Sequence, residues 1–206
     1  KIPRNPFAMY HVDPDHKERE FLTLDELTAM TEIKLEDPNM AFARDLFVFG
    51  CWTGISFIDT KNLTEDKISM INGAPWIVSK RQKTGIPFQV KLMDIPMRIV
   101  ERYKPLRKDC HLFNIGRLDT INKRIKKVAA MCGIKKRISY HVSRHTFAVL
   151  SLEYGMPIET VSKILGHTNI TTTQIYAKVT SSKLEHDISV FESRIKGHLP
   201  TMGGMA

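Results

Sequence analysis

The sequence predicts an α+β fold that is mostly α-helical and carries one small antiparallel β-sheet. Two segments, residues 40–52 and 118–131, have the apolar content or the periodicity of long helices. Three short β-like runs lie close together within residues 68–92, which indicates neighbouring short strands. At 206 residues, with 42% hydrophobic and 26% charged residues, the chain has the composition of a globular protein with a real core.

The first part of the chain is predicted to be a linker followed by two helices. Residues 1–21 contain three prolines and many charges without a clear period, as expected of a linker. Thr23 and Glu26 have the spacing of a capping box. The helix that they start has apolar residues at Leu24, Leu27, Met30 and Ile33. Pro38 should break it, and the apolar segment 40–52 should be a buried central helix.

The middle of the chain is predicted to hold the sheet. A turn and a short helix over residues 53–60 precede it. The strands are expected at residues 68–71, 76–79 and 88–92. Asn72 and Gly73 form a favourable hairpin turn between the first two strands, and residues 80–85 form a polar loop between the last two.

Helices follow the sheet. They are expected over residues 96–103 and over the strongly basic segment 118–131, which Gly133 should stop. A last helix over residues 181–195 has one apolar side, formed by Leu184, Ile188, Phe191 and Ile195. Residues 197–206 are rich in Gly and Met, so we expect a mobile tail.

Between these helices lie the residues with the clearest chemical potential. His141 and Arg144 are three residues apart, so on a helix they project from one face. Gly155 should end that helix, and Pro157 suits the first turn of the next one. The apolar stripe of this second helix is Val161, Ile164 and Leu165. Gly166 should close it as a C-cap.

A third, short helix is expected to follow. His167 should lie just beyond the end of the second helix. Three consecutive threonines offer N-cap oxygens for the third: Thr171, Thr172 and Thr173. Tyr176 should lie on this short helix, nine residues after His167.

The charge distribution indicates a polyanionic partner. The chain has 31 Lys and Arg against 22 Asp and Glu, a net charge of +9. Residues 80–144 hold 18 of these basic residues and only 4 acidic ones, which leaves the remainder at −5. Solvated helix faces would be an ordinary use of such charge, but a concentrated positive field favours nucleic acid as the partner.

Cysteine usage and hydropathy indicate a cytoplasmic protein. Cys51, Cys110 and Cys132 are widely spaced and odd in number, which argues against a disulfide framework. The sequence has no signal peptide and no apolar run of transmembrane length, so no membrane partner is expected.

The pattern H-x-x-R at residues 141–144, L-G-H at 165–167 and Tyr176 nine residues later resembles the tyrosine recombinase family, the phage-type integrases. The three elements have the family's order and spacing, and the resemblance extends over about residues 21–179. It implies that residues 22–180 are a catalytic domain with the tyrosine recombinase fold. It also implies DNA cleavage and rejoining through a 3′-phosphotyrosine, without metal or cofactor, and a separate N-terminal DNA-binding domain before the linker.

The resemblance assigns catalytic roles. Tyr176 would be the nucleophile, and because a phenol has a pKa near 10 it must be activated by cations or a base. Arg144 would hold the two non-bridging phosphate oxygens. His141 would shuttle the tyrosine proton or donate to the phosphate, and His167 would donate to an oxygen. His145 also matches the family pattern, and we expect it to have a supporting or packing role.

The leaving 5′ oxygen needs an acid. The family keeps a lysine in its β-hairpin loop, and Lys83 in the sequence R-Q-K-T-G fits that position. Lys80 and Arg81 are rivals for this role, with phosphate positioning as their alternative. His141 and His145 are four residues apart and could be a pair of metal ligands, but no Cys pair or carboxylate cluster nearby completes such a site.

One departure from the family pattern affects the predicted chemistry. The family has an arginine after its T-G-x, whereas this chain has Ser56, with the family's acidic residue present as Asp59. Losing one such donor costs on the order of 10²–10³ in rate. Arg44, on the preceding buried helix, is a candidate substitute. Its alternatives are an ordinary ion pair with Asp59 or a shared helix edge with Asp45.

The resemblance also implies partners. Double-stranded DNA would contact a set of basic residues: Lys80, Arg81, Lys123, Arg124, Lys126, Lys127, Lys135, Lys136 and Arg137. A homotetramer would form on synapsed DNA, with a monomer in its absence, and accessory DNA-bending proteins would assist. The helix over residues 181–195 would pack on a neighbouring protomer, or else within its own.

The expected function is integration or excision of a mobile element in the bacterial nucleoid. Two alternatives stay open. One is a catalytically impaired DNA-binding homologue, for which Ser56 would be the mark. The other is type IB topoisomerase-like DNA relaxation, which shares the same chemistry.

Overall fold

The computed structural model of the chain describes residues 20–177 and 181–196, and it confirms a mostly helical fold with one small antiparallel sheet. The helices are α1 (Leu24–Glu32), α2 (Pro38–Thr53), α3 (Phe57–Lys61), α4 (Asp94–Tyr103), α5 (Leu118–Met131), α6 (Tyr140–Glu153), α7 (Ile158–Leu165), α8 (Thr171–Gln174) and α9 (Ser181–Ile195). The strands are β1 (Ile68–Ile71), β2 (Ala74–Lys80) and β3 (Pro87–Lys91). Single 3₁₀ turns occur at Glu65–Lys67 and Lys104–Leu106.

Helix α2 is the centre of the fold. Its side chains from Ala43 to Cys51 are all buried, because α1, α4, α5 and α6 pack around it. The Asp37 side chain accepts a hydrogen bond from the Asn39 backbone at 2.8 Å and caps the helix start. Pro38 was expected to end the preceding helix. It is instead the first residue of α2, where its missing N–H costs nothing.

The sheet has the strand order β1-β2-β3, and both pairs are antiparallel. Asn72 and Gly73 have φ values of 48° and 74°, which suits the tight turn between β1 and β2. Ile77 of β2 pairs with Val90 of β3, and both are buried on the face toward the helices. The predicted strands are confirmed with boundaries shifted by one or two residues.

Most of the predicted helix ends and caps are confirmed. The Thr23–Glu26 capping box is present, with Glu26 accepting from the Thr23 backbone at 2.8 Å. The short helix before Tyr176 differs from expectation. Thr171 to Thr173 lie inside α8 rather than capping it, and Asn169 accepts from the Thr171 backbone at 2.9 Å instead. Tyr176 lies two residues beyond the end of α8.

Helix α9 has the predicted boundaries, and its Ile188 and Phe191 side chains are exposed. The expected linker falls almost wholly, and the expected tail wholly, outside the described residues. Within residues 20–177 and 181–196, none of the helices combines the length and the apolarity needed to span a bilayer.

Arg44 binds the backbone carbonyls at the C-terminal end of α1. Its Nη1 donates to three carbonyls there, those of Met30 at 3.3 Å, Thr31 at 2.8 Å and Ile33 at 3.0 Å. Its Nε is 2.5 Å from Asp45 Oδ1, and Asp45 is also bound by Arg102 and Tyr103 at 2.7 Å. The alternative of an ion pair with Asp59 was wrong. The alternative that joined Arg44 with Asp45 was right about the partner but not about a helix edge, since both residues are buried. The bonds of this guanidinium at α1 do not support the hypothesis that Arg44 replaces the arginine missing at position 56.

We predict that Arg44→Met lowers the free energy of unfolding by about 3 kcal/mol, because Oδ1 of the buried Asp45 and the carbonyls at the end of α1 lose their donor. Urea unfolding measures this loss. Arg98→Ala, on the exposed side of α4, is the matched control and should stay within about 0.5 kcal/mol of the parent. Equal stability of the two variants would contradict the structural role of Arg44.

Candidate active site

Arg144 joins the ends of two helices. Its Nη1 donates to the Gly54 carbonyl at 2.7 Å, and its Nη2 donates to the Leu165 carbonyl at 2.6 Å. Gly54 is the left-handed C-cap of α2, with φ 65°, and Leu165 is the last residue of α7. Carbonyls at helix C-termini lack intrahelical donors, and a planar guanidinium satisfies two of them at once. Arg144 is thereby fixed at the junction of α2, α6 and α7.

Arg81 lies beside it. Its Nη1 is 3.0 Å from Asp59 Oδ2, and its Nη2 donates to the Ile164 carbonyl at 2.7 Å. This carbonyl directly precedes the one that Arg144 binds, so the two guanidinium groups hold consecutive carbonyls at the end of α7. The Arg81 guanidinium also stacks 3.9 Å from the centroid of the Phe88 ring. Arg81 is only 5% exposed, so it is part of the site and not a surface charge.

Ser56 has a local structural task. It is the N-cap of α3, and its hydroxyl donates to Asp59 Oδ2 at 2.6 Å. Asp59 Oδ1 accepts from the Gln82 backbone at 2.9 Å. The carboxylate of Asp59 therefore organises the segment after α2 together with the turn that begins at Arg81. At this point the chain brings in an arginine from the hairpin and not from position 56.

Arg81 and Arg144 together carry two positive charges, against the one negative charge of Asp59. Burial, and then the charge of Arg81, lower the pKa of Arg144 to about 10. Tyr176 and Asp59 act in the opposite direction on that pKa. Burial also lowers the pKa of Arg81, against the effect of Asp59. The carboxylate of Asp59 is bonded to Arg81 and acts on the half-buried Arg144 only through its charge, so the two cations favour the approach of a further anion.

Tyr176 reaches this site from beyond α8. Its hydroxyl is 2.5 Å from Nδ1 of His145, which follows Arg144 on α6 and is 6% exposed. Its ring packs against a small apolar cluster made by α6 and α7. His141 is exposed, and its ring meets that of His145 edge-on with centroids 4.3 Å apart. The structure therefore brings the tyrosine and both helix α6 histidines together next to Arg144.

His167 is positioned by the end of α7. Gly166 has φ 62° and ends the helix, and the His167 backbone donates to the Ser162 carbonyl at 3.1 Å. Nδ1 of His167 is 2.8 Å from Oγ1 of the buried Thr173. Thr173 thus orients the ring that the sequence predicted at this helix end.

Lys83 lies in the exposed turn between β2 and β3. The turn is closed by the Arg81 backbone donating to Ile86 at 2.8 Å and by Gly85 donating to Arg81 at 2.7 Å. Lys80, at the end of β2, is exposed as well. The three basic residues considered for this loop therefore separate into one buried arginine and two exposed lysines.

The predicted DNA-binding residues of α5 are mostly exposed. Lys123, Lys126 and Lys127 face solvent, and Arg124 is half-buried. Lys135 and Arg137 are exposed after the helix. Lys136 is engaged inside the protein, because its Nζ is 2.5 Å from Glu26 Oε2 and 2.9 Å from the Phe21 carbonyl.

No group of three or more His, Cys, Asp and Glu residues able to hold a metal ion occurs among the residues that the structure describes. His141 and His145, which the sequence offered as a ligand pair, are in ring contact instead.

Two features of the site were not foreseen from the sequence: the Arg81–Asp59 pair and the His145–Tyr176 hydrogen bond. Strand periodicity could have revealed the first. Ile77 is buried on β2, and Arg81 has the same parity, so it points to the same face, whereas Lys80 points away. The second depends on the path of the chain beyond α8, for which the sequence holds no comparable signal.

Known proteins are similar to this chain in sequence. A model of the phage integrase family matches residues 20–183. A tyrosine recombinase of Pseudothermotoga lettingae is 47% identical over 60 residues, which are 29% of this chain and 21% of that protein. XerD of Oceanobacillus iheyensis is 26% identical over 192 residues, covering 85% of this chain and 64% of the relative. The chain spans less than two thirds of the length of these curated relatives.

Solved structures share the fold. XerH recombinase bound to its palindromic difH substrate has a TM-score of 0.70 at 21% identity, covering 85% of this chain and 54% of that one. XerA recombinase has a TM-score of 0.66 at 24% identity, covering 88% and 65%. The Tn1549 transposon integrase in complex with circular intermediate DNA has a TM-score of 0.65 at 17% identity, covering 87% and 69%.

We predict that Gly166→Ala destabilises the protein more than Gly133→Ala does. Both glycines have positive φ, 62° and 73°, so each substitution should cost about 1 kcal/mol of backbone strain. A Cβ at position 166 would lie 2.8 Å from Cγ and Nε of Arg81, whereas one at position 133 meets nothing within 4 Å. Overpacking should therefore add roughly 1–3 kcal/mol at position 166 alone, measurable by urea unfolding. Equal losses would show that Arg81 is not held tightly there.

Proposed function

The chain belongs to the phage integrase family, and we propose from this premise that it cleaves and rejoins DNA strands through a 3′-phosphotyrosine on Tyr176. Tyr176 attacks a phosphodiester and releases a 5′ hydroxyl. A 5′ hydroxyl of another strand then attacks the phosphotyrosine and restores the DNA backbone. The covalent intermediate retains the bond energy, so neither ATP nor a metal ion is needed for strand exchange.

The observation that carries this proposal is the convergence of a phenol, a buried guanidinium group and a half-buried one. The Tyr176 hydroxyl is bonded to His145, the next residue after Arg144, and the charge of Tyr176 acts to raise the pKa of Arg144. Arg81 holds the neighbouring carbonyl at the end of α7. A phosphodiester entering beside Tyr176 would offset the excess positive charge of both arginines.

In this proposal Arg81 does the work that the family assigns to the arginine at the position of Ser56. Support comes from its burial at Asp59, the acidic residue of the same family motif, and from its place next to Arg144. Its Nε is buried without a hydrogen-bond partner among the described residues, which leaves it a donor still to satisfy. Arg81 and Arg144 together would hold the two non-bridging oxygens of the phosphate.

The remaining roles follow the same chemistry. His167, oriented by Thr173, donates to a non-bridging oxygen, and in this proposal His141 donates to the phosphate as well, which its exposure supports. Lys83, on the exposed hairpin turn, protonates the leaving 5′ oxygen. A lysine on a mobile stem suits this task, because it can follow the DNA strand into the site.

The substrate in this proposal is double-stranded DNA. The exposed lysines of α5 and the residues after it supply phosphate contacts, so affinity should fall steeply with salt. The printed descriptions of the XerH and Tn1549 structures name bound DNA for those proteins, which supports the same partner here. The protein would act in the bacterial cytoplasm at the nucleoid, with accessory DNA-bending proteins.

A homotetramer on two synapsed duplexes would exchange the strands, formed from monomers on DNA. The exposed Ile188 and Phe191 of α9 offer an apolar surface for a neighbouring protomer. Integration or excision of a mobile element is the biological task that we propose, and similarity to a transposon integrase supports it.

We predict that Tyr176→Phe forms no covalent adduct with a nicked DNA duplex from which the cleaved 5′ fragment diffuses away. DNA affinity should be unchanged, since only the nucleophilic oxygen is lost. Tyr154→Phe is the control, because Tyr154 is an exposed tyrosine at the end of α6, and it should form the adduct at the parent rate. Denaturing gel electrophoresis reads the adduct directly.

The same assay separates the alternatives. Binding without any adduct from the parent protein would favour a non-catalytic DNA-binding homologue, for which Ser56 gives a reason. Adduct formation together with relaxation of any supercoiled plasmid, without sequence preference, would favour a topoisomerase-like activity. An adduct that persists in Tyr176→Phe would refute the assigned nucleophile.

A further inference from the structure

We propose that His145 is the group that takes the phenol proton of Tyr176 during attack and returns it during rejoining. The inference rests on the proposed function and deepens it. Nδ1 of His145 lies 2.5 Å from the Tyr176 hydroxyl oxygen, the distance of a strong hydrogen bond. A phenol can donate to this nitrogen, because a neutral imidazole has one unprotonated ring nitrogen.

The surroundings of His145 favour proton transfer over simple packing. The ring is buried, so the bond to Tyr176 is shielded from water. The edge-on contact with His141, one turn earlier on α6, holds the ring plane, and the rings of His145 and Tyr176 lie 5.3 Å apart at an angle of 44°. A fixed ring presents Nδ1 to the nucleophile without the entropy loss that a mobile base would incur.

A proton acceptor is required because only about one phenol in a thousand is ionised at neutral pH. An imidazole within hydrogen-bond distance can remove that proton as the oxygen attacks, a form of catalysis worth roughly 10²–10⁴ in rate. His141 is exposed, whereas His145 is buried and bonded to the tyrosine. In this proposal His141 therefore donates to the phosphate, and His145 accepts the proton of the nucleophile.

The proton balance closes over the full reaction. During cleavage the O–H bond of Tyr176 breaks, His145 becomes an imidazolium, and the phenolic oxygen bonds to phosphorus. The bond from phosphorus to the 5′ oxygen breaks, and that oxygen takes a proton from Lys83. During rejoining the attacking 5′ hydroxyl returns a proton to Lys83, and the departing Tyr176 regains its own from His145.

The test is the single-turnover rate of adduct formation by the full chain on the nicked duplex. His145→Asn places an amide where Nδ1 lies, so it can keep a hydrogen bond to the phenol but cannot take its proton. We expect adduct formation to slow roughly 10²–10³-fold. His111→Gln is the control, since His111 is a partly exposed histidine that pairs with Asp109, and it should react at the parent rate.

A more acidic nucleophile separates proton transfer from a structural role. A fluorinated tyrosine at position 176 loses its proton more readily, so it should recover much of the rate lost in His145→Asn while leaving the parent rate nearly unchanged. In His145→Gln, adduct formation should also be slow with tyrosine and partly recovered with the fluorinated tyrosine. A defect that is the same with both tyrosines, or parent-like cleavage by His145→Asn, would overturn this inference and leave the proposed function intact. No adduct from the parent protein itself would overturn both.

Discussion

The site depends on a single side chain that ties two helix ends together. Arg144 donates to the C-cap carbonyl of α2 and to the last carbonyl of α7, which otherwise lack intrahelical donors. The segments that follow these two ends carry Asp59 and His167. Holding the ends therefore fixes the spacing between the groups that meet around Tyr176, and the buried helix α2 gives them a rigid base.

The second constraint is an imbalance of charge. Arg81 is buried and Arg144 is half-buried, and within the described residues the carboxylate bonded to Arg81 is that of Asp59, whereas Arg144 binds backbone carbonyls. Burial penalises both cations, which is visible in the lowered pKa of each. A site with this cost is not arranged for greatest stability. Its excess of positive charge supports the proposal that it receives an anion, the phosphodiester of the DNA.

Helix and strand periodicity, capping signals and turn residues were enough to predict most of the fold. Segment 118–131 matched α5 because its buried residues recur every three to four positions, as at Ile121, Ile125 and Val128, and Thr23 matched because its cap is local. The three threonines before Tyr176 were wrongly predicted to cap α8, since the side chain of Asn169 accepts the hydrogen bond from the Thr171 backbone instead.

The partner of Arg44 could not be predicted for another reason. A buried arginine indicates that a partner exists but not which one, and the choice between Asp45 and Asp59 depends on packing. The sequence analysis grouped Arg81 with Lys80 as a rival acid or a phosphate contact, because composition does not separate the two residues, whereas strand parity places Arg81 on the buried face.

The most direct test of the claim that Arg81 neutralises the reacting phosphate compares two DNA substrates. In one the scissile phosphate is normal, and in the other a methyl group replaces a non-bridging oxygen, which removes the charge. Relative to the parent, Arg81→Ala should lose about 10²–10³ in adduct formation on the normal substrate and far less on the neutral one. Because both rates come from one variant, a folding defect would affect them equally. An equal loss on both substrates, or no loss on either, would contradict the account.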